Sequence, residues 1–392
     1  MSSLLAIVQI DELIRLQNDK SKQLKSSDYC ETGMLPIVDQ GAALVCGYTN
    51  DLTKKYDKGL PVIIFGDHTL HTKFIDFDFA IGADGTQIIV PKNKNCDTKY
   101  LYFLVLRAAE LIGSEGYKRH LSILRECDIE FISDIGEQQK IAAILTAVDD
   151  VIESTQAQIN KLKDLKTGMM QELLTKGIGH TEFKGSPVGR IPFAWRVIEL
   201  EKLCTWMGVG IATSTTHAYT DNGIPILRNQ NILAGTIDKS DILRITKEFS
   251  EENKTKKIKA RDVITIRTGY PGKSAVVTEE FHDCHTFTTL ISRPDQSLID
   301  SDFLALIINS DYGMNFVAGG QAGGAQQNLN VSILKIFPVK LPDLIEQRKI
   351  YSLVSSVTEK IELVEKRQAQ LVMTKKALMQ DLLTGKVRVS VN

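Results

Sequence analysis

The sequence lacks the features that mark secreted, membrane and zinc-binding proteins. Its six cysteines never form a C-x-x-C pair, which argues against a disulfide framework or a paired metal site. No run of about 18 apolar residues occurs, and the N-terminus has no basic region of the kind that begins a signal peptide. We therefore expect a cytoplasmic protein without a membrane segment. The net charge of −1 excludes a general polyanion binder, so contacts with nucleic acid must come from local patches.

Catalytic signatures are missing as well. No proline follows Asn or Asp, which excludes the Asn/Asp-Pro-Pro-Tyr/Phe site of amino-methyltransferases, and no G-x-G-x-x-G, G-x-S-x-G or H-E-x-x-H motif occurs. The segment 267–274 resembles a phosphate-binding loop, but Arg267 replaces its first glycine and Pro271 removes an amide. His282, Cys284 and His285 have no second ligand pair at metal spacing. We expect no catalytic residue, no metal and no cofactor in this chain.

One long segment occurs twice. Residues 137–175 and 346–384 align without a gap, and 14 of the 39 positions are identical. Such similarity indicates a tandem duplication. A duplicated chain folds most simply as two similar halves related by an approximate two-fold axis, and it suits a target that is itself two-sided.

Each repeated segment carries an apolar seam with a heptad spacing, which predicts a helix that packs on another helix. At 1.5 Å per residue each helix would be about 58 Å long. Lysines interrupt the seam at the same position in both copies, Lys166 and Lys375, and Gln368 interrupts the second copy again. We expect an antiparallel pair, although two separate surface helices remain an alternative. The seam positions singled out are Ile141, Leu145, Val148, Ile152, Leu162, Ile350, Val354, Val357, Ile361 and Leu371.

The segments before the helices are predicted to be mixed α/β domains that share one layout. Leu35–Val38 matches 224–227, Val62–Phe65 matches 263–266, and the helical stretch 100–112 matches 303–308. The predicted fold is therefore of the α+β or mixed α/β class, with two similar domains in a pseudo-two-fold arrangement bridged by two antiparallel coiled-coil helices. The predicted bounds are 1–134 for the first domain, 135–176 for the first helix, 177–341 for a Gly-punctuated polar linker and the second domain, 342–386 for the second helix, and 387–392 for a tail.

Several motifs resemble the specificity subunit of type I restriction-modification systems. They are Gly-Gly-Ala-Gln-Gln-Asn-Leu-Asn at 323–330, Phe-Pro-Val-Lys-Leu-Pro at 337–342 with Glu346-Gln347, and Gly-Arg-Ile-Pro at 189–192 with Trp195 and Leu200. In the first domain, 33–41 and Gly47-Tyr48-Thr49 are similar to the same family. One departure is that 116–122 replaces the Gln-Asn-Leu-Asn loop there, which suggests that the two domains recognise different sequences.

The resemblance implies a non-catalytic subunit that recognises a bipartite DNA site through two target-recognition domains, with the helices setting the gap between the half-sites. It implies partners as well: double-stranded DNA, two methyltransferase subunits and, in addition, restriction subunits. The methyltransferase would methylate adenine N6 with S-adenosylmethionine, and ATP and magnesium would be used by the partner subunits. Two alternatives remain open: a specificity chain that serves a solitary methyltransferase without a nuclease, and a coiled-coil structural adaptor without a DNA role.

The candidate DNA contacts fall into two chemical groups. Arg, Asn, Gln and Asp side chains in loops suit base edges, whereas Lys and Arg beside glycines suit the phosphate backbone. For base reading we single out Asp39, Gln40, Tyr48, Arg228, Asn229 and Gln230. For backbone contacts we single out Lys54, Lys118, Arg119, Arg267 and Lys273, and in the neighbouring loops Tyr270, Gln326 and Asn328.

Overall fold

The computed structural model describes residues 5–113, 119–320 and 328–390 of the chain. The chain divides into two compact units. Unit 1 contains the residues up to Ala157 together with those from Glu365 onward, and unit 2 is Gln158–Val364. Both boundaries fall inside the long helices, so each unit contains a part of each helix.

The first half of the chain contains nine strands and four helices in its described residues. In chain order they are β1 Leu5–Gln9, α1 Ile10–Leu13, β2 Ile14–Leu16, β3 Leu35–Val38, β4 Gly47–Thr49, β5 Val62–Gly66, β6 Thr72–Ile75, β7 Ala80–Ile81, β8 Thr86–Pro91, α2 Thr98–Ile112, α3 Leu121–Glu126, β9 Asp128–Ile132 and α4 Ile135–Lys176.

The second half contains eleven strands and five helices in its described residues. They are β10 Phe183–Ser186, β11 Gly189–Pro192, β12 Arg196–Glu199, β13 Cys204–Val209, β14 Tyr219–Leu227, β15 Leu243–Ile245, α5 Lys247–Glu252, β16 Val263–Ile266, β17 Ser274–Val276, β18 His285–Thr286, β19 Thr289–Pro294, α6 Ser301–Asn309, α7 Asp311–Gly319, α8 Val331–Lys335, β20 Pro338–Leu341 and α9 Leu344–Leu383. The stretch expected to be an irregular linker contains the antiparallel hairpin β10–β11, whose strands pair Phe183 with Pro192.

The two units have the same sheet topology. A four-stranded antiparallel sheet has the order β2-β8-β5-β6 in unit 1 and β13-β19-β16-β17 in unit 2. A three-stranded sheet has the order β4-β3-β7 in unit 1 and β15-β14-β18 in unit 2. The pairs β3-β7 and β14-β18 are parallel. An antiparallel pair, β1-β9 or β12-β20, closes each domain. The predicted fold class, with two similar mixed α/β domains, is therefore confirmed.

Matching aspartates begin the central helix of each domain. Asp97 caps α2, since its Oδ1 accepts a hydrogen bond of 2.8 Å from the Tyr100 amide. Asp300 caps α6 by accepting from the amides of Asp302 and Phe303. Such caps satisfy amides that the helix itself leaves without partners. The apolar residues that follow pack on the four-stranded sheet, so that Phe103 and Phe303 are fully buried.

The long helices run antiparallel to each other. In unit 1 Gln368 Nε2 donates to Gln156 Oε1 at 2.8 Å, and Lys375 Nζ lies 2.6 Å from Asp149 Oδ1. From the first contact to the second, the residue number on α4 decreases while the residue number on α9 increases, so the two helices are antiparallel. In unit 2 the half-buried Lys166 interacts with Glu362 in the same sense.

The predicted seam positions lie on the inner side of these helices. Ile141, Leu145, Ile350, Val354 and Ile361 are buried. The others are half-buried, and they are Val148, Ile152, Leu162, Val357 and Leu371. In addition to the seam, Met379 and Leu382 belong to the hydrophobic core of unit 1 and Leu174 to that of unit 2. The helices are thus part of each domain core.

A buried glutamine at the start of each long helix connects the helix to its domain. Gln138 is fully buried; its Oε1 accepts from the Asp97 amide at 2.8 Å, and its Nε2 donates to the carbonyls of Asn95 and Ile132. Gln347 makes the matching set, accepting from the Asp300 amide and donating to two carbonyls. One side chain therefore holds the helix and the helix-capping aspartate of the domain together.

The glutamate that precedes each glutamine holds the segment after the other helix. Glu137 accepts from the Arg388 guanidinium and from the Val389 amide. Glu346 accepts from the Ile178 amide, from the His180 ring and from the Trp195 indole. We call these two contact sets the glutamate clamps. They explain why the Glu-Gln pair is retained in both repeats.

None of the helices in the described residues is both long enough and apolar enough to cross a membrane.

Replacing the buried glutamine should destabilise its unit strongly. Gln138→Ala would leave the Asp97 amide, the buried Ile132 carbonyl and the Asn95 carbonyl without this partner, which costs about 2–4 kcal/mol of unfolding free energy. The neighbouring Gln139 is exposed, so Gln139→Ala serves as the matched control with an expected change within about 0.5 kcal/mol. Urea unfolding measures both. Equal changes for the two variants would contradict the role given to Gln138.

Unit 2 contains a buried histidine that makes its stability depend on pH. The Nε2 atom of His285 lies 2.9 Å from the buried Ser250 hydroxyl, and burial lowers the pKa of His285 from 6.5 to about 4. The unfolded chain therefore binds a proton between pH 6.5 and 4 that the folded chain does not bind. Stability from this group is complete above pH 6.5 and decreases as the pH falls towards 4.

Replacing His285 should remove that part of the pH dependence. Between pH 7 and 4.5, wild type should lose up to about 3 kcal/mol more than His285→Gln. Both tryptophans, Trp195 and Trp206, belong to unit 2, so their fluorescence during urea unfolding reports on the relevant unit. The exposed His217 provides the control substitution His217→Gln. A His285→Gln variant with the full wild-type pH dependence would refute the assignment.

Candidate nucleic-acid interface

Three loops meet in unit 1. They are the segment after β3 (39–41), the turn between β5 and β6 (67–71) and the residues before α3 (119–120). Gln40 accepts from the His68 amide at 3.2 Å and donates to the Asp84 carbonyl at 2.8 Å. The His120 amide donates to the Asp67 carbonyl at 2.8 Å. We call this meeting of loops the loop junction of unit 1.

The same three loops meet in unit 2. Asn229, which follows β14, donates to the Thr268 hydroxyl at 2.9 Å and to the Thr268 carbonyl at 3.1 Å. The Leu329 amide donates to the Arg267 carbonyl at 2.9 Å, and Asn328 pairs with Thr268 as an isolated β-bridge. The loop junction of unit 2 therefore consists of 228–230, the β16–β17 turn 267–273, and 328–330. The described end of the glycine-rich loop lies beside Arg267.

The two junctions share their backbone contacts but differ in charge. Asp39 directly follows β3 in unit 1, and Arg228 directly follows the equivalent strand β14 in unit 2. Asp67 and Arg267 follow the equivalent strands β5 and β16 in the same way. The amide of His120 and that of Leu329 make the same hydrogen bond to the turn, although the surrounding sequences differ. Unit 1 thus has aspartates, the half-buried Asp39 and the buried Asp67, where unit 2 has half-buried arginines on one backbone frame.

A single carboxylate holds two of the predicted base-reading side chains of unit 2. Asp241 Oδ2 lies 2.7 Å from the Arg228 guanidinium and 2.9 Å from the Gln230 amide nitrogen. The buried Asn231 donates to the Asp241 carbonyl at 2.9 Å and accepts from the Arg228 amide. Because Asp241 is largely exposed, its ion pair with Arg228 is weak, and little free energy is lost when the Arg228 guanidinium binds another acceptor instead.

Of the nine buried side-chain polar atoms that have no hydrogen-bond partner among the described residues, four lie at the junctions. Among the described residues, Arg228 Nε, Asn229 Oδ1 and Arg267 Nε in unit 2 and His120 Nε2 in unit 1 have no hydrogen-bond partner. Each such atom costs about 1–3 kcal/mol relative to a satisfied one. Since the Nδ1 of His120 lies 3.0 Å from a carbonyl, it carries the proton in the neutral ring, and Nε2 is an acceptor.

A buried lysine fixes the first loop of the unit 1 junction. Lys73 Nζ donates to the Asp39 carbonyl at 2.8 Å and lies 3.9 Å from the Asp39 carboxylate. Burial lowers the pKa of Lys73, and Asp39 opposes that shift. Asp39 Oδ1 also accepts from the Gly41 amide at 2.8 Å, so its carboxylate is held at the end of β3.

The other predicted contacts lie in several places. Tyr270 is exposed at the tip of the β16–β17 turn, with the Lys273 ammonium 5.0 Å from its ring centroid. Lys54 Nζ donates to the Ser21 carbonyl at 2.7 Å, and Tyr48 lies half-buried on β4. In the described part of the chain no hydrogen bond joins Lys54 or Tyr48 to the loop junction. Arg119 is exposed, whereas Lys118 and Gln326 lie outside the described residues.

Sequence reasoning missed the residues that position the junctions. Asp241, Lys73 and His120 act through contacts with residues distant in the sequence, and no spacing rule links them. The sequence partly revealed that Gln40 and Asn229 occupy similar places in the two units, because each follows one of the two strands that were matched. In 5–113, 119–320 and 328–390 no group of His, Cys, Asp and Glu comes together as a metal site.

The chain is similar to specificity subunits of type I restriction enzymes. It is 26% identical to the MjaVIII specificity subunit of Methanocaldococcus jannaschii over 76% of this chain and 72% of the relative. It is 22% identical to the EcoR124I/EcoR124II specificity subunit of Escherichia coli over 92% of this chain and 90% of the relative.

Solved structures show the same fold. The S subunit of a type I restriction-modification system from M. genitalium covers 97% of this chain and 96% of its own length, with 15% identity and a TM-score of 0.62. A chain from a study of complex assembly and conformational transition in the type I R-M system covers 99% of both chains, with 14% identity and a TM-score of 0.58. Residues 4–164 and 192–373 match the type I restriction modification DNA specificity domain. With most of its length matched in two successive domains, the chain belongs to the family of type I restriction-modification specificity subunits.

Proposed function

We propose that this chain binds a bipartite DNA site and that each loop junction recognises one half-site. The main support is that the two junctions share one arrangement of the backbone but have side chains of opposite charge, aspartates in unit 1 and arginines in unit 2. A frame that is repeated while its side chains change suits two DNA segments of different sequence. The unsatisfied polar atoms of Arg228, Asn229 and Arg267 support the proposal, because base or phosphate groups supply the missing partners.

The side chains of the junctions favour different bases. Arginine pairs bidentately with guanine, and Asn or Gln pairs with adenine, which suits Arg228, Asn229 and Gln230 in the second half-site. Aspartate accepts from the amino group of cytosine, which suits Asp39 in the first half-site. Arg119, Lys118 and Lys273 are proposed to contact phosphates. Tyr270 and Asn328 complete the proposed surface of unit 2, with Gln326 in the same loop by sequence.

The reaction is proposed to belong to partner subunits. Two methyltransferase subunits would methylate adenine with S-adenosylmethionine, and restriction subunits would use ATP and magnesium. This chain would contribute DNA recognition and no catalytic group, in the cytoplasm. Family membership supports this scheme over a structural adaptor without a DNA role. A nuclease gene beside the chain's gene would argue against the solitary-methyltransferase alternative.

The proposal is tested by mapping methylated adenines in cells that express the chain with its methyltransferase partner. The expected result is one motif with two specified halves of different sequence, separated by a fixed number of unspecified bases. A contiguous motif, or methylation without any motif, would contradict a bipartite site.

Replacing Arg228 should loosen only the half-site read by unit 2. Arg228→Ala is expected to lower specific affinity by about 1–3 kcal/mol and to relax one position of that half-site. Asp241→Ala should relax the same half-site, because Arg228 and Gln230 lose the carboxylate that orients them. Methylation motifs of the three proteins provide the measurement.

Arg244 provides the matched control. It is an exposed arginine on β15 of the same sheet, where it donates to the Gly223 carbonyl at 2.9 Å. Arg244→Ala removes the same charge and should leave the motif unchanged. If Arg228→Ala also left both half-sites unchanged, Arg228 would be removed from the set of base-reading residues.

The length of the helix pair is proposed to set the gap between the half-sites. A heptad deletion from both helices keeps the seam in phase. Because Gln156 lies opposite Gln368, deleting 154–160 together with 364–370 removes facing segments. The pair then shortens by about 10 Å, which corresponds to about three base pairs of DNA.

Any methylation that the shortened protein directs should occur only at sites whose half-sites are unchanged and whose gap between the half-sites is altered. Methylome sequencing reads this directly. Deleting five residues from each helix instead breaks the heptad phase and should expose Ile152 and Leu162, so that the protein loses stability. If the heptad-shortened protein retained the original gap, helix length would not determine spacing.

A further inference from the structure

Unit 2 contains a cavity that the DNA-binding proposal does not use. Its volume is about 260 Å³, and it lies between the last turns of α4, the corner where α6 meets α7, and β20. Met170, Leu174 and the Tyr312 ring provide apolar walls, whereas Gln171, Asp311 and Lys340 provide polar ones. All of these residues belong to one unit.

The cavity is lined by a lysine whose side chain is largely buried and whose ammonium has no ion pair among the described residues. Lys340 is only 5% exposed, and among the described residues its ammonium has no hydrogen bond and no ion pair. The Nζ atom lies 4.3 Å from the centroid of the Tyr312 ring. The hydroxyl of Tyr312 donates to the Pro338 carbonyl at 2.6 Å, and the ring rather than the hydroxyl faces the ammonium. Burial lowers the pKa of Lys340.

The fold does not require a lysine at this position. Lys340 pairs with Val197 across β12-β20, and in unit 1 the matching residue is Phe131, which pairs with Ala6 across β1-β9. Phe131 packs on the core of unit 1 and lies 6.2 Å from the Tyr100 ring. The same strand therefore accepts an apolar side chain. An ammonium that is largely removed from water is stabilised when an anion or hydrogen bonds compensate its charge.

We propose that this cavity binds a carboxylate group, with Lys340 as its ion-pair partner and the Gln171 amide as donor to its second oxygen. The Gln171 side chain is exposed at the cavity and can turn towards it. The first turn of the nine-residue helix α7 also lines the cavity and favours an anion. With Asp311 at the same turn, a single lysine suits a monoanion better than a phosphate dianion.

The test is a titration of the full chain with ¹³C-labelled acetate, followed by ligand line broadening, at constant ionic strength. Acetate should bind saturably, and neutral acetamide and inorganic phosphate should compete at least about tenfold more weakly. Lys340→Met should weaken acetate binding by about tenfold or more, whereas Lys202→Met, at an exposed lysine of the same unit, should not. Because unit 1 has phenylalanine at the matching position, Lys340→Phe provides a second folded variant.

Gln171→Leu is an independent variant on the exposed surface of α4, and it should weaken acetate by several fold without affecting acetamide. Equal binding of acetate by wild type and both Lys340 variants, or equal competition by acetamide, would overturn the proposal. Repeating the titration with the methyltransferase bound identifies the natural source. Loss of acetate binding in the complex assigns the carboxylate to a partner side chain, whereas retained binding assigns it to a free small acid.

Discussion

The Glu-Gln pair at the start of each long helix, whose glutamine is fully buried, is the contact on which the architecture depends. Gln138 and Gln347 tie a helix to the cap of the domain's central helix, while Glu137 and Glu346 hold the segment that leaves the opposite helix. Domain, helix start and helix end are thereby joined at one place in each unit. A coiled-coil seam alone would leave the helices free to slide by a heptad, because each heptad offers similar apolar contacts. The clamps supply side-chain contacts that a shifted helix would lose.

That fixed frame allows the junction side chains to vary. Each junction contains one matching contact between loops that runs from a backbone amide to a carbonyl, namely from His120 to Asp67 and from Leu329 to Arg267. These two backbone contacts do not depend on the side chain, so they are the same whether the turn residue is Asp67 or Arg267. Such variation explains how one topology can have two chemically different loop junctions.

Much of the fold could be predicted from the sequence, and less of the site. The seam and the repeated Glu-Gln pair fixed the helices, since heptad spacing is a local property of one segment. Strand matches located Gln40 and Asn229, which follow aligned strands. In contrast, Asp241 reaches Arg228 across 13 positions of irregular chain, and Lys73 reaches Asp39 from another sheet. Contacts of that kind depend on how loops fold back, which composition and periodicity do not encode.

The comparison between units also separates residues that fold the chain from residues that do something further. Gln138 and Gln347 are the same residue at the same position of the two copies. The domain needs this glutamine because buried amides and carbonyls must have hydrogen-bond partners. Where the copies differ at one matching strand position, neither side chain is dictated by the backbone. Phe131 and Lys340 form such a pair, and the apolar member is the less costly one. The lysine therefore calls for a compensating partner outside its own fold, and the adjoining cavity is the place where that partner can bind.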